Sequence, residues 1–248
     1  SEQTHPAITT VEVDFIQPGT VLLPKKIDVA FYLIHSLTAR AGVFEQEEEQ
    51  CAINFNRLIS QTDVQQVIYL GGIVNEEVLS AHLSSRLKVE DLLKQSGIPI
   101  TILRAGIIVG SGSASFEIIR DLTEKLPVMI APRWLNTKCQ PIAVRNVLQY
   151  LTGVMLRTQY YNRDYDIGGT EVLTYKEMLL QFAAVRQLKR HIFILPVMTP
   201  RVSSYWLYFI TATSYSLAVN LVNSMKVNVI CRPNSLQQEL GITPLTYK

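Results

Sequence analysis

Residues 66–104 read QVIYLGGIVNEEVLSAHLSSRLKVEDLLKQSGIPITILR. The stretch opens on an apolar, β-branched run, Gln66 to Leu70, and closes on another, Ile98 to Leu103. Between them Leu83 to Gln95 carries helical periodicity, with Gly97 as its C-terminal stop. A strand, a helix and a second strand at this spacing make a βαβ unit, which needs a parallel sheet. Parallel strands are covered on both faces, so they read as continuous apolar runs rather than alternating ones.

Upstream, Ile27 to Ile34 (IDVAFYLI) is such a run, and Phe44 to Ser60 reads as a helix with Cys51, Ala52, Phe55, Leu58 and Ile59 on its apolar side. Ile8 to Phe15 (ITTVEVDF) reads as a further strand. Downstream, Gly110 to Glu117 is a Gly/Ser loop leading into a helix through about Leu126. Pro141 to Leu156 reads as a short strand and a helix, and Tyr165 to Thr170 as a strand and tight turn. Thr174-Tyr-Lys-Glu177 is a capping box opening a helix with Met178, Leu179, Phe182 and Val185 as its apolar positions. The expected architecture is α/β: an incomplete Rossmann-like parallel-sheet domain over residues 1–160, with a smaller C-terminal substrate or cap lobe over 161–248. In such sheets ligands sit at the carboxyl ends of the strands. That rule points to His35-Ser36, Gly71-Gly72 and Arg104 through Ser115.

Composition narrows the function. The 248 residues are 48% hydrophobic, enough for one large core and a small second lobe. A net charge of +2 from 23 basic and 21 acidic residues lacks the clustered cations of a nucleic-acid binder. Cys51, Cys139 and Cys231 are odd in number and far apart, which indicates neither a zinc site nor a disulfide framework. Free thiols in a reducing cytoplasm are the simplest reading. Val202 to Met225 contains no charged residue but is diluted by Ser, Thr and Asn. It reads as a buried or groove-lining helix pair, with membrane contact as the minority reading.

Gly71-Gly72, the pair at 82 and 86, Glu90, Ser96-Gly97, Thr101-Ile-Leu-Arg104 and Gly110 follow a recurring order. Together with LSAHLSSR, GSGSASFE, LPVMIAPRW, QPIAVR, DIGG and MTPRVSS, they make the chain resemble the atypical short-chain dehydrogenase/reductases. The resemblance is to the NmrA-like and nucleoside-diphosphate-sugar-epimerase-like NAD(P)-binding proteins. It implies NAD or NADP as cofactor and a small-molecule substrate. It also implies a Tyr-x-x-x-Lys pair on the helix after the fifth strand, and a Ser or Thr at that strand's end. The tyrosine moves a proton, and the lysine lowers its pKa and holds the nicotinamide ribose. Here His82 stands at the Tyr position, Arg86 at the Lys position, and Gly71 or Gly72 at the Ser position. The resemblance further implies a glycine-rich pyrophosphate loop after a first strand, and nothing like it precedes Ile8: relative to the family, about the first two strands and two helices, roughly 50 to 60 residues, are expected to be absent from this sequence. The residue that separates NAD from NADP would lie there too.

Each candidate has a functional and a structural reading. His82 is a general acid/base or a polar residue at a helix start. Arg86 contacts a ribose or phosphate, or it pairs with Glu90 one turn on. His35 and Ser36 pass the nicotinamide end of a cofactor or cap a strand. Gly71 and Gly72 admit a ligand close to backbone or make a tight turn. Ser113 and Ser115 sit where free amides at a helix N-terminus suit an anion, or serve as caps. Arg104 is a substrate contact or a structural ion pair. Trp134 and Gln140 line the substrate lobe or simply pack. Two functions follow: an atypical reductase or epimerase-like enzyme with His82 as proton donor, or a non-catalytic dinucleotide-binding sensor or regulator.

Overall fold

The computed structural model describes residues 7–19, 21, 23–34, 44–74, 81–195 and 225–248, with the backbone alone at 44 and 81–84. In chain order the elements are β1 (Val29–Tyr32), α1 (Phe44–Ile59), β2 (Gln66–Gly72), α2 (Ala81–Lys94), β3 (Ile100–Ala105) and β4 (Ile108–Val109). Then follow α3 (Ala114–Lys125), β5 (Val128–Pro132), β6 (Lys138–Cys139), β7 (Ile142–Ala143) and α4 (Val144–Gly153). The last are β8 (Arg163–Ile167), β9 (Leu173–Thr174), α5 (Tyr175–Val185), β10 (His191–Leu195) and a short α6 (Leu236–Glu239).

The main sheet runs β1-β2-β3-β8, every neighbour parallel. Strand alternation divides its side chains between two cores. Tyr32, Val67, Tyr69, Ile100 and Ile102 face α1 and α2, packing on Ala52, Phe55, Ile59, Val89 and Leu93. Ile68, Leu103, Ala105 and Ile167 face the other way, onto Val147, Tyr150 and Leu151 of α4 and Leu236 of α6. All five apolar positions read on the first helix are buried. Its acidic first turn, Glu45 and Glu47, suits the positive end of the helix dipole.

Gln66 fastens this sheet to the end of α4. Its side chain is wholly buried and donates to Thr101 Oγ1 (2.8 Å) and the Val154 carbonyl (3.2 Å). Its oxygen accepts from the Leu156 amide at 2.6 Å, holding that residue at φ 54°.

A third core forms the smaller lobe, where α3 and α5 pack on the parallel pair β5–β10 around Met129, Trp134, Leu135, Met178 and Leu179. The chain crosses between lobe and sheet repeatedly. β8 completes the main sheet, and residues 225–234 return to bind both parts. Val229 donates its amide to the Lys138 carbonyl and accepts from the Gln140 amide, each at 2.9 Å.

Two sequence expectations are corrected. Ile8–Phe15 is not a strand: it runs unpaired across α1, mostly exposed, with Ile8 62% accessible. Asn54 Nδ2 donates to the carbonyls of Phe15 (2.8 Å) and Ile16 (3.2 Å), and no neighbouring strand among the described residues offers a ladder. β-propensity without a partner strand does not make a strand. Val185 is exposed rather than apolar-facing, and Ala183 takes its place in the core. The capping box does form, with Thr174 Oγ1 accepting from the Glu177 amide (3.1 Å) and the Glu177 carboxylate accepting from the Thr174 amide (2.7 Å). The Val202–Met225 reading falls outside the described residues, save Met225, which is buried in the lobe core.

Candidate functional site

The carboxyl ends of β2 and β3 bring Gly71, Gly72, Arg86 and Arg104 into one region. Arg86 projects from α2 onto the end of β2. A Cβ built on Gly72 would meet Arg86 Cδ at 3.3 Å, Nη1 at 3.4 Å and Nε at 3.5 Å. The missing side chain is therefore what lets the guanidinium lie on the strand end. His82 lies one helical turn before Arg86 on the same helix. Its side chain is outside the described residues, as are His35 and Ser36 altogether.

Beneath the glycines is a buried polar layer. The Tyr69 ring sits under Gly71 and meets Tyr32 edge-on, with centroids 5.7 Å apart. The Tyr69 hydroxyl is pushed up to about 12 by burial, which the nearby Arg86 cation only partly offsets. Ser85, next to Arg86, donates to Glu48 of α1 at 2.7 Å, and both residues are buried.

Glu90, one turn after Arg86, belongs to Arg104. Arg104 Nε and Nη2 donate to its two carboxylate oxygens at 2.8 and 2.6 Å, a bidentate fork. Arg104 Nη1 also donates to Asp164 Oδ2 at 2.5 Å and lies 3.8 Å from Asp166 Oδ1. Arg232 closes the cluster from the other side, gripping Asp166 through Nε and Nη2 at 2.9 Å each and Asp164 at 3.1 Å. Burial raises the Asp164 carboxyl, but the hydrogen bond and charge of Arg104, then those of Arg232, hold it below the ordinary carboxylate range. The geometry is the structural ion pair of the two readings offered for Arg104, and Glu90 is the partner that the helix spacing had offered to Arg86.

The other sequence candidates spread outward. Ser113 caps α3: its Oγ accepts from the Phe116 amide (3.5 Å) and donates to the Ile108 carbonyl (2.6 Å). Ser115 lies in the first turn, half-buried. Trp134 packs edge-on against Tyr175 at 5.8 Å, deep in the lobe core. Gln140 is a splice: its Nε2 donates to the Gly169 carbonyl (2.7 Å) and its Oε1 accepts from the Cys231 amide (3.1 Å). Beside it a small open pocket lies between Val109, Pro141, Ala143, Thr170, Glu171 and Tyr247. Val109 comes from the stretch between Arg104 and Ser115 that the strand-end rule points to, but none of the individually named candidate residues lines it.

Glu48, Tyr69, Asp164, Asp166 and Arg232 were not among the sequence candidates. One signal was available. Asp164 and Asp166 alternate with Tyr165 and Ile167, so both carboxylates share one face, and an acidic strand face demands a cation on its neighbour.

No family model matches the chain, and no curated protein matches it. Solved structures do. A nucleoside-diphosphate-sugar epimerase from Staphylococcus aureus superposes with a TM-score of 0.67 at 14% identity, over 89% of this chain and 75% of that one. This chain shares the Rossmann-like α/β fold of that epimerase. Triphenylmethane reductase from Citrobacter sp., solved with NADP(H), matches with a TM-score of 0.65 at 15% identity, over 90% of this chain and 74% of that one. An NADPH-dependent quinone oxidoreductase from Escherichia coli matches equally well, at 0.65 and 13% identity over the same shares.

Proposed function

We propose that this chain acts on a small molecule as an NAD(P)-dependent reductase or epimerase-like enzyme. The observation that supports it is Arg86, whose guanidinium rests on Gly72 at the carboxyl end of a parallel strand. A permanent cation beside side-chain-free backbone suits a ribose or phosphate of NAD or NADP. The bound nicotinamide would supply or accept a hydride. His82, one turn before Arg86, gives or takes the matching proton at its imidazole. Gly71 and Gly72 border the cofactor, and the sequence assigns His35 and Ser36 to it as well. Arg104, Ser113, Trp134 and Gln140, all packed or bonded inside the protein, shape the substrate side and leave Ser115 as its polar contact. Three free thiols suit a cytoplasmic setting.

A second reading, a non-catalytic dinucleotide-binding sensor or regulator, draws on one feature. Glycines stand where the resemblance expects a hydroxyl, so one proton-handling group is lacking.

The test uses full-length protein and titrates NADH and NADPH by fluorescence. Saturable binding of either, weakened about tenfold in Arg86→Ala, is expected for the loss of one charge-assisted contact. Failure of both nucleotides to bind overturns the reading. Turnover on a panel of carbonyl compounds and nucleotide sugars that survives His82→Ala removes the proton role. Binding without turnover of any panel member moves the function to the sensor.

A further inference from the structure

We infer that Glu90 and Arg104 are positioning residues for Arg86, and that Arg232 extends their hold to the returning C-terminal segment. The inference deepens the proposed function, because it concerns how the same guanidinium is kept on Gly72. Glu90 sits one turn after Arg86 on α2, so the two share a helix face. A carboxylate tied through both oxygens to a fork on the neighbouring strand fixes the rotation of that face about the helix axis. Glu90 and Arg104 are 1% and 8% exposed, so neither can exchange its partner for water.

The fork is itself held. Arg104 and Asp166 are register partners across β3 and β8, and Asp164 takes the remaining Arg104 nitrogen. Without Arg232, Arg104 would be left as the described cation pairing with Asp164 and Asp166 while it also holds Glu90. Arg232 supplies the second cation, and its own amide also donates to Asp166 at 2.9 Å. The C-terminal segment that binds Lys138 and Gln140 in the small lobe is thus linked, through two carboxylates and one guanidinium, to the helix carrying His82 and Arg86. The cluster joins α2, β3, β8 and the returning segment, and α2 is the helix that carries Arg86.

The test compares Glu90→Gln, Arg104→Lys and Arg232→Gln with Lys88→Met, which removes only the exposed ion pairs of the same helix to Glu45 and Glu49. Two readouts need no cofactor: the NMR signal of Arg86 Nε–H, and hydrogen exchange at residues 85–88. A third is the nucleotide dissociation constant. In folded protein, Glu90→Gln and Arg104→Lys are expected to shift the Arg86 signal and speed exchange at 85–88. Nucleotide binding should weaken about tenfold, the scale on which losing a group that orients a binding residue is felt. Lys88→Met should change none of these. If Glu90→Gln does not fold, Arg104→Lys and Arg232→Gln decide: the Arg232 side chain is half-exposed, and its loss leaves Asp164 and Asp166 to compete with Glu90 for Arg104, so the Arg86 signal should shift there too. An unchanged Arg86 signal in the folded variants overturns the inference. Wild-type protein that binds neither nucleotide overturns the cofactor reading instead, while the NMR and exchange results still judge the positioning role.

Discussion

Gly169→Ala should unfold this protein well before its size alone would suggest. A Cβ at Gly169 would stand 2.3 Å from the Pro141 carbonyl oxygen. Carbon and oxygen settle at about 3.3 Å or more, so the two segments must part by roughly 1 Å. The obstacle is backbone, so no side chain can rotate out of the way. Parting stretches the bond that the Gly169 amide donates to that same oxygen at 2.9 Å, and pulls on the Gln140 amide that binds the Gly169 carbonyl. Losing one hydrogen bond costs about 1 kcal/mol, and overpacking adds about 1–3 kcal/mol. The total, about 2–4 kcal/mol, corresponds to a Tm lower by roughly 5–15 °C in a chain of this length. Urea unfolding followed by far-UV circular dichroism measures it, with Gly97→Ala as the control. Gly97 lies at φ 74° in open space, so alanine there meets only the left-handed backbone cost of about 1–2 kcal/mol. A Gly169→Ala variant no less stable than Gly97→Ala would refute the reasoning.

Two further substitutions test the electrostatic and packing accounts. Asp164 is held below its unfolded pKa of roughly 4, so its stabilisation is complete above that value and is lost as pH falls through the folded one. Thermal melts from pH 7 down to pH 3 should show a shallower acid loss in Asp164→Asn than in wild type, and identical slopes would remove the carboxylate from the account. The Thr123 hydroxyl is buried in α3 with no hydrogen-bond partner among the described residues. Thr123→Val should therefore stabilise by about 1 kcal/mol in urea, and a loss of stability would mean that the hydroxyl is bonded after all.

Most of the sheet was legible from the order of its elements. β2, α2 and β3 formed where the apolar runs and Gly97 placed them, because buried parallel strands leave a continuous apolar signature that few other elements mimic. Ile8–Phe15 failed for the complementary reason, since its pattern is strand-like but a ladder is a property of two segments. The site was legible in location and not in wiring. Spacing along α2 put Glu90 within reach of Arg86, and nothing along the chain announced that β3 would present Arg104 to both of its oxygens. Gln140 likewise looked like a lobe residue, and only the return of Cys231 and the approach of Gly169 reveal it as a splice. Contacts within an element follow its period, whereas contacts between elements depend on packing that one sequence window does not contain.

The ion cluster also sets an order of events during synthesis. Asp166 precedes the Arg232 that neutralises it by 66 residues. At about 5–20 residues per second, a growing chain spends roughly 3–13 s with both strand carboxylates made and their second cation still unmade. In that interval Asp166 lacks the guanidinium that grips it, so closing the sheet would bury a carboxylate short of its main partner. The sheet edge at β8 thus gains its full reward for closing only after the C-terminal segment emerges, which keeps early, incomplete packing of the lobe against the sheet reversible.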